Sequence, residues 1–83
     1  MIVFAVRDKK ADVYGRPFFA VSSAVGIRSF SDEVNNDRED NQMFRHSSDF
    51  SLYELGSYDD DTGLFVTHEP KLLINGDQCN TGS

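Results

Sequence analysis

Tryptophan is absent from this sequence, cysteine occurs once and proline twice. A lone cysteine excludes any disulfide within the chain, and without a cysteine pair the usual zinc-ligand spacings are missing as well. No apolar run approaches the ~18 residues of a membrane-spanning helix. Residues 1–6 are apolar, but Arg7 and Asp8 follow at once, so the start reads as a strand and not as a secretory leader. A single thiol suits a reducing compartment, and the expected location is the cytoplasm of the cell that makes the protein.

Positive charge is also scarce. Lys and Arg number 8 against 14 Asp and Glu, for a net charge of −6. The distribution is uneven: residues 1–28 hold five of the eight cations and only two acids. A net acidic chain repels a polyanion at long range, so nucleic-acid contact has to be local to the basic third. Arg7, Lys9, Lys10 and Arg16, flanked by Tyr14, Phe18 and Phe19, form that candidate, since single-strand binders combine a basic groove with aromatic platforms. The competing reading is a solvated loop with its aromatics turned inward.

What the chain does have is phenylalanine and tyrosine, seven and three in 83 residues. One domain is expected over residues 1–76, with a flexible tail at 77–83 that holds Cys79 as an incidental thiol. A core this small leaves apolar surface over, and self-association is expected to cover it.

The firmest element is a hairpin. Residues 50–58 form one arm and residues 64–68 the other, and Asp59-Asp60-Asp61-Thr62-Gly63 makes an acidic turn. Pro70 is expected to stop the second arm because proline cannot donate to a ladder. Leu52 and Tyr58 share one parity and Tyr53 and Leu55 the other, a conflict that a bulge at Gly56 resolves. Upstream, Gly15-Arg16-Pro17 signals a turn, and the pair Phe18 and Phe19 is expected in the core. Ser22 or Ser23 caps a helix over residues 24–35, where Ile27, Phe30 and Val34 make one apolar stripe and Asn35 a stop. Gly26 lowers the propensity of that helix. The polar residues 37–42 read as an exposed loop, after which Met43 and Phe44 return to the body. Residues 71–74 suit a short last strand. The fold class is therefore α+β: one α-helix packed on a small, mainly antiparallel sheet, ordered β-α-β-β with room for a further short strand.

Tyr58, Asp59, Asp60 and Asp61 are a candidate protein-interaction site at the hairpin tip, with strand addition as the mode. The acids do not make an EF-hand, because Leu64 falls where the loop needs glycine and Pro70 where it needs glutamate. His46, His68 and Cys79 have no metal-ligand spacing. No serine sits in a G-x-S-x-G elbow and no glycine-rich phosphate loop occurs. No metal, no cofactor and no catalytic residue is expected.

Three stretches carry a family resemblance: Pro17-Phe18-Phe19, then Arg28-x-Phe30-x-Asp32-x-Val34-Asn35, then His46-x-x-Asp49-Phe50-x-Leu52-Tyr53-x-Leu55-Gly56-x-Tyr58-Asp59-Asp60-x-Thr62-Gly63. With the opening Phe4-Ala5-Val6 and Asp8-Lys9-Lys10-Ala11, the chain resembles the small nonstructural protein of gokushoviruses, Microviridae with circular single-stranded DNA. The resemblance spans about residues 1–76 and departs from the branch at Ser47, where proline is frequent. It implies a phage protein of the host bacterial cytoplasm, absent from the mature virion. It also implies a non-enzymatic role in single-stranded DNA synthesis and packaging, with single-stranded DNA and the viral replication initiator or procapsid proteins as partners.

Overall fold

The computed structural model describes residues 1–79. Five antiparallel strands form one sheet, curled into a half-barrel, and one main helix covers one of its faces. The strands are β1 (Ile2–Asp8), β2 (Val13–Tyr14), β3 (Phe18–Ala20), β4 (Phe50–Asp59) and β5 (Leu64–Asn75). The order is β2-β1-β4-β5, with β3 also pairing β1. The α+β class stands, and the element order is richer than β-α-β-β. Strands of two and three residues lack a visible alternation, so β2 and β3 leave no periodic signal in the sequence.

The helix α1 (Ser23–Val34) starts where a hydroxyl can cap it. Ser22 Oγ accepts the Val25 amide at 3.2 Å, satisfying one of the orphan donors of the first turn. Phe30 and Val34 are buried and Ile27 is half-buried, so the expected stripe does face the sheet. Phe4, Leu52, Phe30, Val34, Ala20 and Cys79 make the core cluster. At the other end Asn35 does not take the left-handed conformation, with φ −92°. Its side chain closes the helix by donating to the carbonyls of Ser31 and Cys79, both at 2.8 Å.

Four expectations need correction. Pro70 does not end the second arm, and residues 71–74 are not a separate strand: β5 runs unbroken from Leu64 to Asn75. The proline is tolerated because β5 is an edge strand and because three residues there oppose Leu55 alone, between the pairs Gly56↔Thr67 and Glu54↔Lys71. Phe18 and Phe19 do not enter the core together, since successive strand residues point to opposite faces. Phe18 stacks on Phe4 at 5.4 Å, while Phe19 stays 43% exposed on the other face.

Residues 37–42 are not simply a solvated loop. Asn41 is buried, and it caps a four-residue helix, α2 (Gln42–Arg45). Residues 77–79 of the expected tail are ordered, because Gly76–Cys79 forms a 3-10 turn with Cys79 only 5% exposed in the core. Residues 80–83 lie outside the described residues.

Gly56 carries the bulge that the parity conflict demanded. Its φ is 151°, and both neighbouring strands shift register there: Val3 faces Gly56 while Phe4 faces Glu54, which leaves Leu55 unpaired. A side chain at Gly56 would collide with the Val66 carbonyl. The bulge puts Leu52 and Glu54 on the helix side, and Gly56 and Tyr58 on the open side.

Candidate nucleic-acid interface

Arg7, Lys9, Lys10 and Arg16 all come from the β1–β2 hairpin and its exit. Asp8 builds the turn by accepting the amides of Lys10 and Ala11 at 3.0 and 3.1 Å, the local bonding that suits aspartate to turns. Asp12 takes the left-handed conformation, φ 59°, and the Gly15 amide donates back to the Val6 carbonyl. These bonds hold Lys9, Lys10 and Arg16 out in solvent.

The Lys9 amide also donates to the Asp49 carbonyl at 2.8 Å, which ties the hairpin to the start of β4. Lys10 edges an open cleft of about 330 Å³ whose other walls include Asp8, His46 and Asp49. The two carboxylates soften the positive potential on that side. The other side is different in character. The Arg7 guanidinium pairs with Asp12 and lies 5.0 Å from the centre of the Tyr14 ring, within cation–π reach. Tyr14 meets Tyr53 edge-on at 5.5 Å.

The sheet register explains this grouping. Directly paired residues share a face, so Arg7 and Tyr14, paired across β1 and β2, lie on one side. Ala5 and Tyr53, paired across β1 and β4, join them. Phe4 and Leu52 point to the helix, so the Arg7 side is the face that no helix covers. Farther along it Phe19, Tyr58 and Phe65 form a second aromatic group, with Phe19 and Phe65 5.7 and 4.8 Å from Tyr58. Phe65 was not singled out from the sequence, and Tyr53 entered only through its strand parity. The signal that could have found them was the change of parity at Gly56.

The second set of expected residues, Tyr58, Asp59, Asp60 and Asp61, sits at the far corner of the sheet. Asp59 is a turn residue: its Oδ1 accepts the Asp61 amide at 2.9 Å, and its carbonyl accepts the Gly63 amide at 2.7 Å. The three carboxylates are exposed, with ligand oxygens within 4.8 Å of one another. Midway along β4, the Glu54 carboxylate accepts from Ser23 Oγ on α1 and meets His68 Nε2 of β5, each at 3.0 Å. His68 is pushed up from its usual value by its bond to the Glu69 carbonyl and then by Glu54. Burial pushes the Cys79 thiol up.

The four basic residues thus share the β1–β2 hairpin and its exit, with Arg7 against Tyr14, and lie apart from the acidic turn. No helix among the described residues is long and apolar enough to cross a membrane. Comparison with curated proteins and with solved structures finds no match. A family model does match, over residues 1–79. On that match, which takes in the basic hairpin, the helix and the acidic turn alike, the chain belongs to the Phage ORF5 protein family.

Proposed function

We propose that this phage protein is a non-enzymatic accessory factor for viral single-stranded DNA synthesis and packaging, of the gokushovirus type, and that it contacts DNA through the β1–β2 corner. The observation that carries this reading is the grouping of four cations at one corner of the sheet, where Tyr14 is exposed and the half-buried Tyr53 packs against it. Lys9, Lys10 and Arg16 stand in solvent beside Arg7, and Tyr14 and Tyr53 flank it on the open face. Phosphates are neutralised by the cations while an unstacked base finds a ring to lie on, and each stacked base is worth roughly 1–3 kcal/mol. Duplex DNA offers no such free base faces.

The acidic remainder sets the character of the binding. It weakens the attraction overall and confines contact to this corner, so affinity depends steeply on salt. Replication-initiator or procapsid proteins are the partners that such a factor would link to DNA in the host cytoplasm.

Fluorescence anisotropy of labelled single-stranded oligonucleotides, at low and at moderate salt, tests the reading. Binding is expected at low salt, weaker with duplex, and reduced by the double reversal Lys9→Glu/Lys10→Glu and by Tyr14→Ala. No binding at low salt, or binding indifferent to these changes, overturns the DNA contact.

A further inference from the structure

β5 is paired on one side only: β4 holds its inner edge, and among the described residues nothing pairs with its outer edge. That edge is apolar on both faces near the hairpin tip. Leu64 and Val66 are 65% and 67% exposed on one face, and Phe65 is 57% exposed on the other. Soluble proteins usually blunt a long edge of this kind, because unpaired backbone groups recruit another strand.

The direction of those backbone groups follows from β4. The Tyr58 amide donates to the Met1 carbonyl at 2.8 Å, and the Met1 amine donates to the Tyr58 carbonyl at 3.1 Å. Tyr58 therefore spends its main-chain groups on β1. Its partner across β4 and β5 is Phe65, so that pair exchanges no hydrogen bonds, and the Phe65 N–H and C=O point outward. Two residues on, the groups of Thr67 do the same.

We propose that this edge, Leu64 to Thr67, is the interface for a second copy of the chain, joined by antiparallel pairing about a two-fold axis at Val66. In that register Phe65 lies opposite Thr67 of the second copy, and the reverse holds across the axis. Each such pair exchanges two hydrogen bonds, so the four outward groups of each copy are all used. Val66 meets its own counterpart side by side. A two-fold contact of this kind is self-complementary and closes on itself.

The self-complementary register and the charge at its two ends favour a second copy over another extended strand. Asp59, Asp60 and Asp61 form the turn just before Leu64, and Lys71 is the only Lys or Arg after Arg45. Antiparallel pairing at Val66 carries the acidic turn of each copy past residues 68–71 of the other, so Lys71 comes up to Asp61 twice, with His68 nearby and Glu69 the one acid in that segment. A parallel arrangement would set the three acids against their own kind. Beyond Thr67 the ladder ends, because the strand is irregular there and Pro70 has no N–H to give. The pairing stays short and does not run on into a fibre.

This surface lies on the opposite sheet edge from β2, so it is independent of the DNA reading. Sedimentation velocity on the full chain over a range of concentrations tests it. A reversible dimer is expected. Thr67→Pro, which removes an outward amide at an edge position, should give a monomer with unchanged circular dichroism. Lys71→Glu should weaken dimerisation by about tenfold, and Lys71→Glu/Asp61→Lys should recover most of that loss. The swap decides the matter if Thr67→Pro fails to fold. A wild-type chain that is monomeric throughout, or a dimer untouched by both Thr67→Pro and Lys71→Glu, overturns the proposal. So does a dimer that the swap leaves as weak as Lys71→Glu alone.

Discussion

Gly26 of α1 lies against the ring of Phe4 in β1, so closely that a Cβ added to it would stand 2.5 Å from Phe4 Cζ. Phe4 is fully buried and stacked on Phe18. The glycine lets the helix descend onto the sheet at the centre of the core. Its low helix propensity is the cost of that approach.

Two effects oppose each other in Gly26→Ala. Alanine favours the helix by about 1 kcal/mol, while overpacking a filled core costs about 1–3 kcal/mol and displaces α1 from β1. Because the obstructing atoms belong to a locked ring, the second effect wins. Urea and thermal unfolding should show a net loss of up to about 2 kcal/mol, or up to roughly 15 °C in Tm for a domain of this size. A higher Tm for Gly26→Ala would show that the ring yields.

Asn41 gives the second prediction. Its Nδ2 donates to the carbonyls of Glu33 and Asn36 at 2.8 and 2.9 Å, and its Oδ1 accepts the Met43 amide at 3.1 Å. One buried side chain thus closes the connection between α1 and α2. Asn41→Ala leaves two carbonyls and an amide without partners and should cost about 1–3 kcal/mol. Asp40→Ala next to it, exposed, should change stability by less than about 0.5 kcal/mol. Equal effects at the two positions would mean that the connection is as solvated as its composition suggests.

That contrast marks what sequence can reveal in this protein. The long hairpin, the capped helix with its stripe at Ile27, Phe30 and Val34, and the bulge at Gly56 were legible because each leaves a local pattern. Asn41 and Cys79 were not, since their burial depends on partners far along the chain: Cys79 meets the side chain of Asn35 across 44 positions. Pro70 misled because its rule depends on whether a strand is central or at an edge, which only the sheet order reveals. The basic residues were legible as a cluster. The open aromatic face beside them was not, because it needs the sheet order that sets Tyr14 beside Tyr53 and Phe19 beside Tyr58.

Cys79 supplies a chemical test of this packing. Burial raises its pKa and keeps reagents away, although a bond from Ser31 works in the other direction. A thiolate is the reactive species, so labelling by a disulfide reagent at mildly alkaline pH should be much slower in the native chain than in urea. Deletion of residues 77–79 should destabilise the domain, as it empties a position in the core cluster. Labelling at the same rate in both states would mean that the turn at Gly76–Cys79 is undocked in solution.

His68 makes stability depend on pH. Its Nδ1 lies 2.7 Å from the Glu69 carbonyl and its Nε2 3.0 Å from the Glu54 carboxylate. Both partners are acceptors, so only the imidazolium, with a proton on each nitrogen, can donate to both. The folded chain therefore holds that proton more tightly than the unfolded chain, whose histidine titrates near 6.5. The contribution to stability is complete below about pH 6.5 and is lost as pH rises through the higher folded-state value. It is modest, because the pair is exposed to solvent. Stability from urea unfolding, followed from about pH 5 to pH 9 for wild type and His68→Asn, isolates it: the gap between the two should be widest at the acidic end and should shrink on the alkaline side. Glu54→Gln should narrow the gap at low pH while leaving the Glu69 bond in place. A gap that is constant across the range would assign His68 a packing role without proton linkage, and a gap that widened with pH would reverse the sign of the argument.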